Sequence, residues 1–121
     1  VKCLAQHVTV FSSQARIADV ASPDFKNHAG VGAVVTINVT ATTSTPSVVF
    51  TLQGKDPTSS QYYNILSSSA IVVSGITHMK VHPDFTAGTN VAKDIMPSVW
   101  RVYADHADGD SITYSVGASL I

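Results

Sequence analysis

The chain has 121 residues, a net charge of −1 and only 12% charged residues, which suits one domain with a core of its own and excludes a basic stripe for gripping phosphates. All eight acidic residues are Asp, and Asp favours turns and caps over helix interiors. A single cysteine, Cys3, excludes an intramolecular disulfide and any multi-Cys zinc site; with no signal-peptide pattern and no spanning apolar run, the expectation is a soluble protein made in a reducing compartment, neither secreted by the usual route nor lipid-bound.

Residues 1–28 open with a short alternation, "HVTVF", and continue as "SSQARIADVASPDFKNHAG", which has no strong period. This stretch reads as an extended N-terminal arm or first strand preceding a domain over residues 29–121. Such an arm buries little against its own domain and orders against neighbours.

From there, alternation with period two dominates. In "AVVTINVTA", Val35, Ile37, Val39 and Ala41 share one face, with Val34, Thr36, Asn38 and Thr40 on the other. Pro46 interrupts before "SVVFTLQG" sets Val48, Phe50 and Leu52 against Val49, Thr51 and Gln53. "GKDPTSSQ" is turn chemistry, "YYNIL" a strand, and "AIVV" another short strand. "ITHMKVH" places Met79 and Val81 opposite His78, Lys80 and His82. "TAGTNVAKDIMP" predicts one helical turn, capped by Thr89 or Asn90 and stopped by Pro97. Two strands close the chain, "VWRVYA" and "SITYSVGASL", the last with Ile112, Tyr114, Val116 and Ala118 on one face. Seven or eight short strands without a long helix predict an all-β, single-domain antiparallel sandwich, Ig-like or jelly-roll-like.

Residues 105–110, D-H-A-D-G-D, concentrate charge as nowhere else in the chain. A calcium loop of the EF-hand kind needs alternating ligands, Gly at its sixth position and a Glu at its twelfth; here the Gly falls fifth and no Glu exists. The simpler reading is a hairpin connection that pairs the last two strands across an Asp-Gly turn. His78 and His82 stand two strand steps apart, each step about 7 Å, too far to share one metal. No G-x-S-x-G elbow or glycine-rich phosphate loop occurs, and the lack of Glu disfavours a tuned acid/base pair. No catalytic, cofactor or metal residues are assigned. Trp100 is expected in the core, with Arg101 and Tyr103 outward beside Tyr114 of the next strand, a composition favoured at protein–protein contacts.

The stretches "VVFTLQGKDPTSSQYYNIL", "VHPDFTAG" and "WRVYADHADGDSITYSVGASLI" together resemble a family of small structural proteins of tailed-bacteriophage virions, over residues 30–121. The resemblance implies a β-rich, non-enzymatic protein that decorates the capsid surface of the virion after synthesis in the host cytoplasm. Its partners would be the major capsid protein, copies of itself in a homo-oligomer (a trimer included), or both, with neither nucleic acid nor membrane. A tail or head–tail joint component and an Ig-like module for host-surface carbohydrate or protein are the competing readings. Arg16, Phe25, Lys80, His82, Arg101 and Tyr103 are the candidate partner contacts.

Overall fold

The computed structural model describes residues 6–27 and 30–121. Cys3 and the rest of the first five residues, with residues 28 and 29 at the expected boundary between arm and domain, lie outside the described residues. The others form ten strands: β1 (Gln6–Arg16), β2 (Val20–Ala21), β3 (Phe25–Lys26), β4 (Ala33–Thr42), β5 (Val48–Lys55), β6 (Tyr62–Ser67), β7 (Gly75–Val81), β8 (Val91–Ala92), β9 (Val99–His106) and β10 (Ile112–Leu120). Sheet I runs β1-β10-β4-β7-β8 and sheet II runs β2-β9-β5-β6, with β3 also on β9. Pairing is antiparallel except between β7 and β8. The expected all-β sandwich is the observed fold.

The period-two pattern fills the core. Val35, Ile37, Val39, Met79, Val81, Ile112, Tyr114 and Val116 enter it from sheet I, and Val48, Phe50, Leu52, Trp100, Val102 and Ala104 from sheet II. Tyr114 meets Phe50 edge to face at 4.9 Å and 90°, and Phe11 in the same manner at 6.0 Å, geometries that aromatic quadrupoles favour. Phe25 covers the Trp100 indole at 5.0 Å. Trp100 Nε1 is buried without a hydrogen-bond partner among the described residues, a cost that this site bears for the indole's apolar area.

Four local expectations are corrected. Of the two readings of the N-terminal stretch, residues 6–27 follow the strand and not the arm. β1 pairs with β10 along its length, and β2 and β3 pair in succession with β9, so this segment fastens both sheets. Bulges hide its periodicity. One extra residue between Thr9 and Phe11 turns the adjacent Val10 and Phe11 both into the core, and a second shift follows before Gln14. Pro23 lacks the donor needed to continue the ladder between β2 and β3. Just before it, Ser22 N donates to Val102 O at 2.8 Å, and Val102 N donates to Ser22 Oγ at 2.9 Å.

The last two strands are not a hairpin. β9 is interior to sheet II, between β5 and β2/β3, whereas β10 is interior to sheet I, between β1 and β4. Residues 105–110 therefore arch across the core instead of turning within one sheet. The β4–β5 connection arches beside them: Thr43 N donates to Ser111 O, Ala107 N to Ser47 O and Thr45 N to Asp110 Oδ2. Two facing strands with alternate buried residues look the same in sequence whether they share a layer or oppose each other.

"AIVV" contributes only an isolated bridge, Ile71 to Val48, leaving Val72 and Val73 exposed. "TAGTNVAKDIMP" contains no helical turn. Lys80 N donates to Asn90 O and His82 N to Ala92 O, which draws Val91–Ala92 alongside β7 as a parallel strand. Asn90 takes the left-handed conformation (φ 59°), and its Oδ1 accepts from Ser69 N.

Candidate functional site: the outer faces of the sandwich

Outward positions of sheet II carry a connected polar and aromatic cluster. Register sets Arg101 of β9 opposite Gln53 of β5, and Lys55 opposite Tyr62 across the β5–β6 hairpin. Arg101 Nε donates to Gln53 Oε1 at 2.8 Å, and the guanidinium carbon lies 3.5 Å from the Tyr62 ring centroid. A planar, weakly hydrated cation stacked in this way holds both partners in place. Gln53 Nε2 in turn donates to Asn64 Oδ1.

Asp24, in the link between β2 and β3, completes the cluster. Tyr62 OH donates to its Oδ1 at 2.6 Å, and Lys55 Nζ pairs with its Oδ2 at 3.0 Å. The Tyr62 hydroxyl first, then Lys55, holds the Asp24 carboxyl below its ordinary range, and Asp24 raises Lys55 reciprocally. Tyr103 stands 5.9 Å from Arg101 and donates to Asp19 Oδ2, a bond that raises its phenol. An open cleft of about 310 Å³ adjoins the cluster, lined by Asp24, Lys26, Lys55, Pro57, Ser60 and Val99.

Of the expected contact residues, Arg101 and Tyr103 stand here. The others are dispersed. Phe25 is spent on covering Trp100. Lys80 points outward from sheet I, and His82 lies just beyond β7, 5.2 Å from the Phe85 ring. Arg16 folds back over the rings of Phe11 and Tyr114, at 5.1 and 4.6 Å, and donates to the carbonyls of Ser12, Gln14 and Tyr114. Tyr114 is not beside Arg101 and Tyr103, as expected, but fully buried on the opposite sheet. Burial pushes its phenol up to about 12, and His106, held down mainly by burial, shares a 3.1 Å hydrogen bond with it. This plug of Arg16, His106 and Tyr114 closes one end of the core.

Sequence reasoning missed Asp24, Asp19 and Tyr62. Alternation through the β5–β6 hairpin could have put Gln53, Lys55 and Tyr62 on one face, but nothing local to Asp19 or Asp24 signals their partners.

Among the described residues, no three His, Cys, Asp or Glu side chains converge in a way that could hold a metal ion. Within the 105–110 arch, Asp108 Oδ1 accepts from Asp110 N, and Asp110 Oδ2 accepts from Thr45 N. No protein-family model, curated protein or solved structure matches this chain.

Proposed function

We propose that this protein is a non-enzymatic structural component of a bacteriophage virion, a decoration protein that stabilises the capsid by protein–protein contacts. The observation that carries the proposal, beside the resemblance over residues 30–121, is the preformed Arg101–Tyr62–Tyr103 surface on sheet II. Arg and Tyr are the side chains that contribute most where proteins meet. Here their rotamers are already set by Gln53, Asp24 and Asp19, so little side-chain entropy remains to be lost on docking. A rigid unit presented many times on a lattice needs only modest affinity per copy.

The cleft beside Lys55 favours a second reading, a module for host-surface carbohydrate or protein. One experiment separates the two. The purified chain is mixed with particles assembled without it, and separately with host cells. Cosedimentation with particles, weakened at least tenfold by the double change Arg101→Ala and Tyr62→Ala, supports decoration. Binding to cells alone overturns it.

A further inference from the structure

Gly117 is a glycine that the fold itself does not require. It lies in β10, an interior strand of sheet I, at an outward position. Among the glycines, it is Gly75 that takes a positive φ. A Cβ placed at Gly117 meets only Val8 O, at 3.8 Å, an ordinary contact. Gly54 is different: a Cβ there would press on the Tyr63 ring and Pro97 Cγ, at 2.5 and 2.8 Å. Glycine inside a strand weakens it and marks a bulge, a bend or close approach by another molecule; the bulge opposite Gly117 inserts its extra residue in β1 and asks no glycine of β10, which leaves close approach.

The surroundings of Gly117 point to what approaches. Register lays one row of outward residues across four strands as Thr9, Gly117, Thr36 and His78, and the next row as His7, Ser119, Val34 and Lys80. Three strand spacings of about 4.8 Å make the face roughly 14 Å wide. Its side chains are short apart from those at its margins, so it is flat with a notch at the centre. His78 Nδ1 shares a hydrogen bond with Thr36 Oγ1 at 3.0 Å, and His7 Nδ1 with Ser119 Oγ at 3.1 Å. Each Nε2 is left without a partner among the described residues. Lys80 has neither an ion pair nor a side-chain hydrogen bond among them. The strands β1, β4, β7 and β10 contain no Asp, although the chain has eight. On sheet II the Asp24 carboxylate of the β2–β3 link matches Lys55; this face of sheet I leaves Lys80 without an ion pair among the described residues, to be matched from outside.

We propose that the outer face of sheet I, centred on Gly117 and bordered by Lys80, docks a flat protein surface that presents carboxylates. The inference rests on the virion reading, in which that surface belongs to a neighbouring subunit of the particle. Together with the Arg101 cluster on the opposite face, it gives the sandwich two contact surfaces, as a clamp between subunits requires.

The test is cosedimentation of the full chain with particles of the encoding phage assembled without it, with the melting temperature of each variant measured in parallel. Gly117→Gln should fill the notch, and Lys80→Asp should oppose the partner's charge. Each is expected to weaken particle binding at least tenfold while melting cooperatively, and Lys80→Arg is expected to bind as wild type. Wild-type chain that fails to bind particles overturns the virion reading, and the docking face falls with it. Wild-type binding that neither Gly117→Gln nor Lys80→Asp disturbs overturns the docking face alone. Loss with Gly117→Gln but not with Lys80→Asp overturns the acidic partner. Should Gly117→Gln fail to fold, Lys80→Asp and Lys80→Arg decide the outcome, because Lys80 is exposed and its side chain makes no hydrogen bond or ion pair among the described residues.

Discussion

The two outer faces of this sandwich spend their polar groups differently. On sheet II, Arg101, Lys55, Tyr62 and Tyr103 are tied to Gln53, Asp24 and Asp19, so the Lys55 charge is matched within the chain and the side chains of the face are held. On sheet I the outward residues are mostly Thr, Ser and Asn, with two local imidazole–hydroxyl pairs and an unmatched Lys80. Both faces cover the same core with comparable alternation. What separates them is the pair of links on either side of β2, which deliver Asp19 and Asp24 to one side only. Charge distribution on a sandwich is thus set by which sheet receives the connecting segments, and the strand pattern alone does not contain it.

The contrast matters only if the N-terminal segment belongs to the fold, and this carries the largest expected effect. Deleting residues 1–27 removes β1, β2 and β3, with the buried Val10 and Phe11, and uncovers the edges of β10 and β9. The truncated chain should show no cooperative thermal transition by circular dichroism. If it melts as sharply as the full chain, the segment is an arm after all and Asp24 is not fixed on sheet II.

Next in size are the core positions that support both faces. Phe50→Ala and Trp100→Ala should each cost about 3–5 kcal/mol in urea unfolding, the usual effect of truncating a buried aromatic. Trp100→Phe should cost much less, because it keeps a ring beneath Phe25 and removes the unpartnered indole N–H. A Trp100→Phe loss as large as that of Trp100→Ala would mean that the indole N–H has a partner.

The contrast between the faces is measured directly by a matched pair of truncations. Arg101→Ala removes the bond to Gln53 and the stack on Tyr62, and should cost about 1 kcal/mol. Thr36→Ala, at an outward position of sheet I, should change stability by no more than about 0.5 kcal/mol. Equal costs would mean that the two faces hold their side chains alike.

Acid titration gives a smaller signal confined to sheet II. The folded Asp24 carboxyl titrates below its unfolded value of 3.8. Its contribution is therefore present above that value and is lost as pH falls through the lower, folded one. Solvent screens this exposed pair, so the slope is shallow. Asp24→Asn should flatten it, while substitutions at Thr36 should leave it unchanged. Opposite in sign to the others, Gly117→Ala should be neutral or stabilise by up to about 1 kcal/mol, since the site has room and needs no glycine conformation. A clear loss of stability would show that the fold itself requires the glycine.

Much of the fold is legible in the amino-acid sequence. Strand alternation around Val35–Val39, Val48–Leu52, Met79–Val81 and Ile112–Val116 identifies the core side of each strand, because a pleated backbone sends successive side chains to opposite faces wherever it is packed. Trp100 as a core residue, and Arg101 and Tyr103 as outward ones, follow from the same rule. Only the tertiary structure decided three further matters. It put β9 and β10 in opposite sheets, since alternation reports burial and not which layer provides it. It drew residues 6–27 into both sheets, since the bulges at Val10 and beyond Phe11 and the break at Pro23 shift the period that would have announced strands. It also brought Asp19 and Asp24 to Tyr103 and Tyr62, partners 84 and 38 residues away, because strand register, set by the whole sandwich, determines which distant side chains meet.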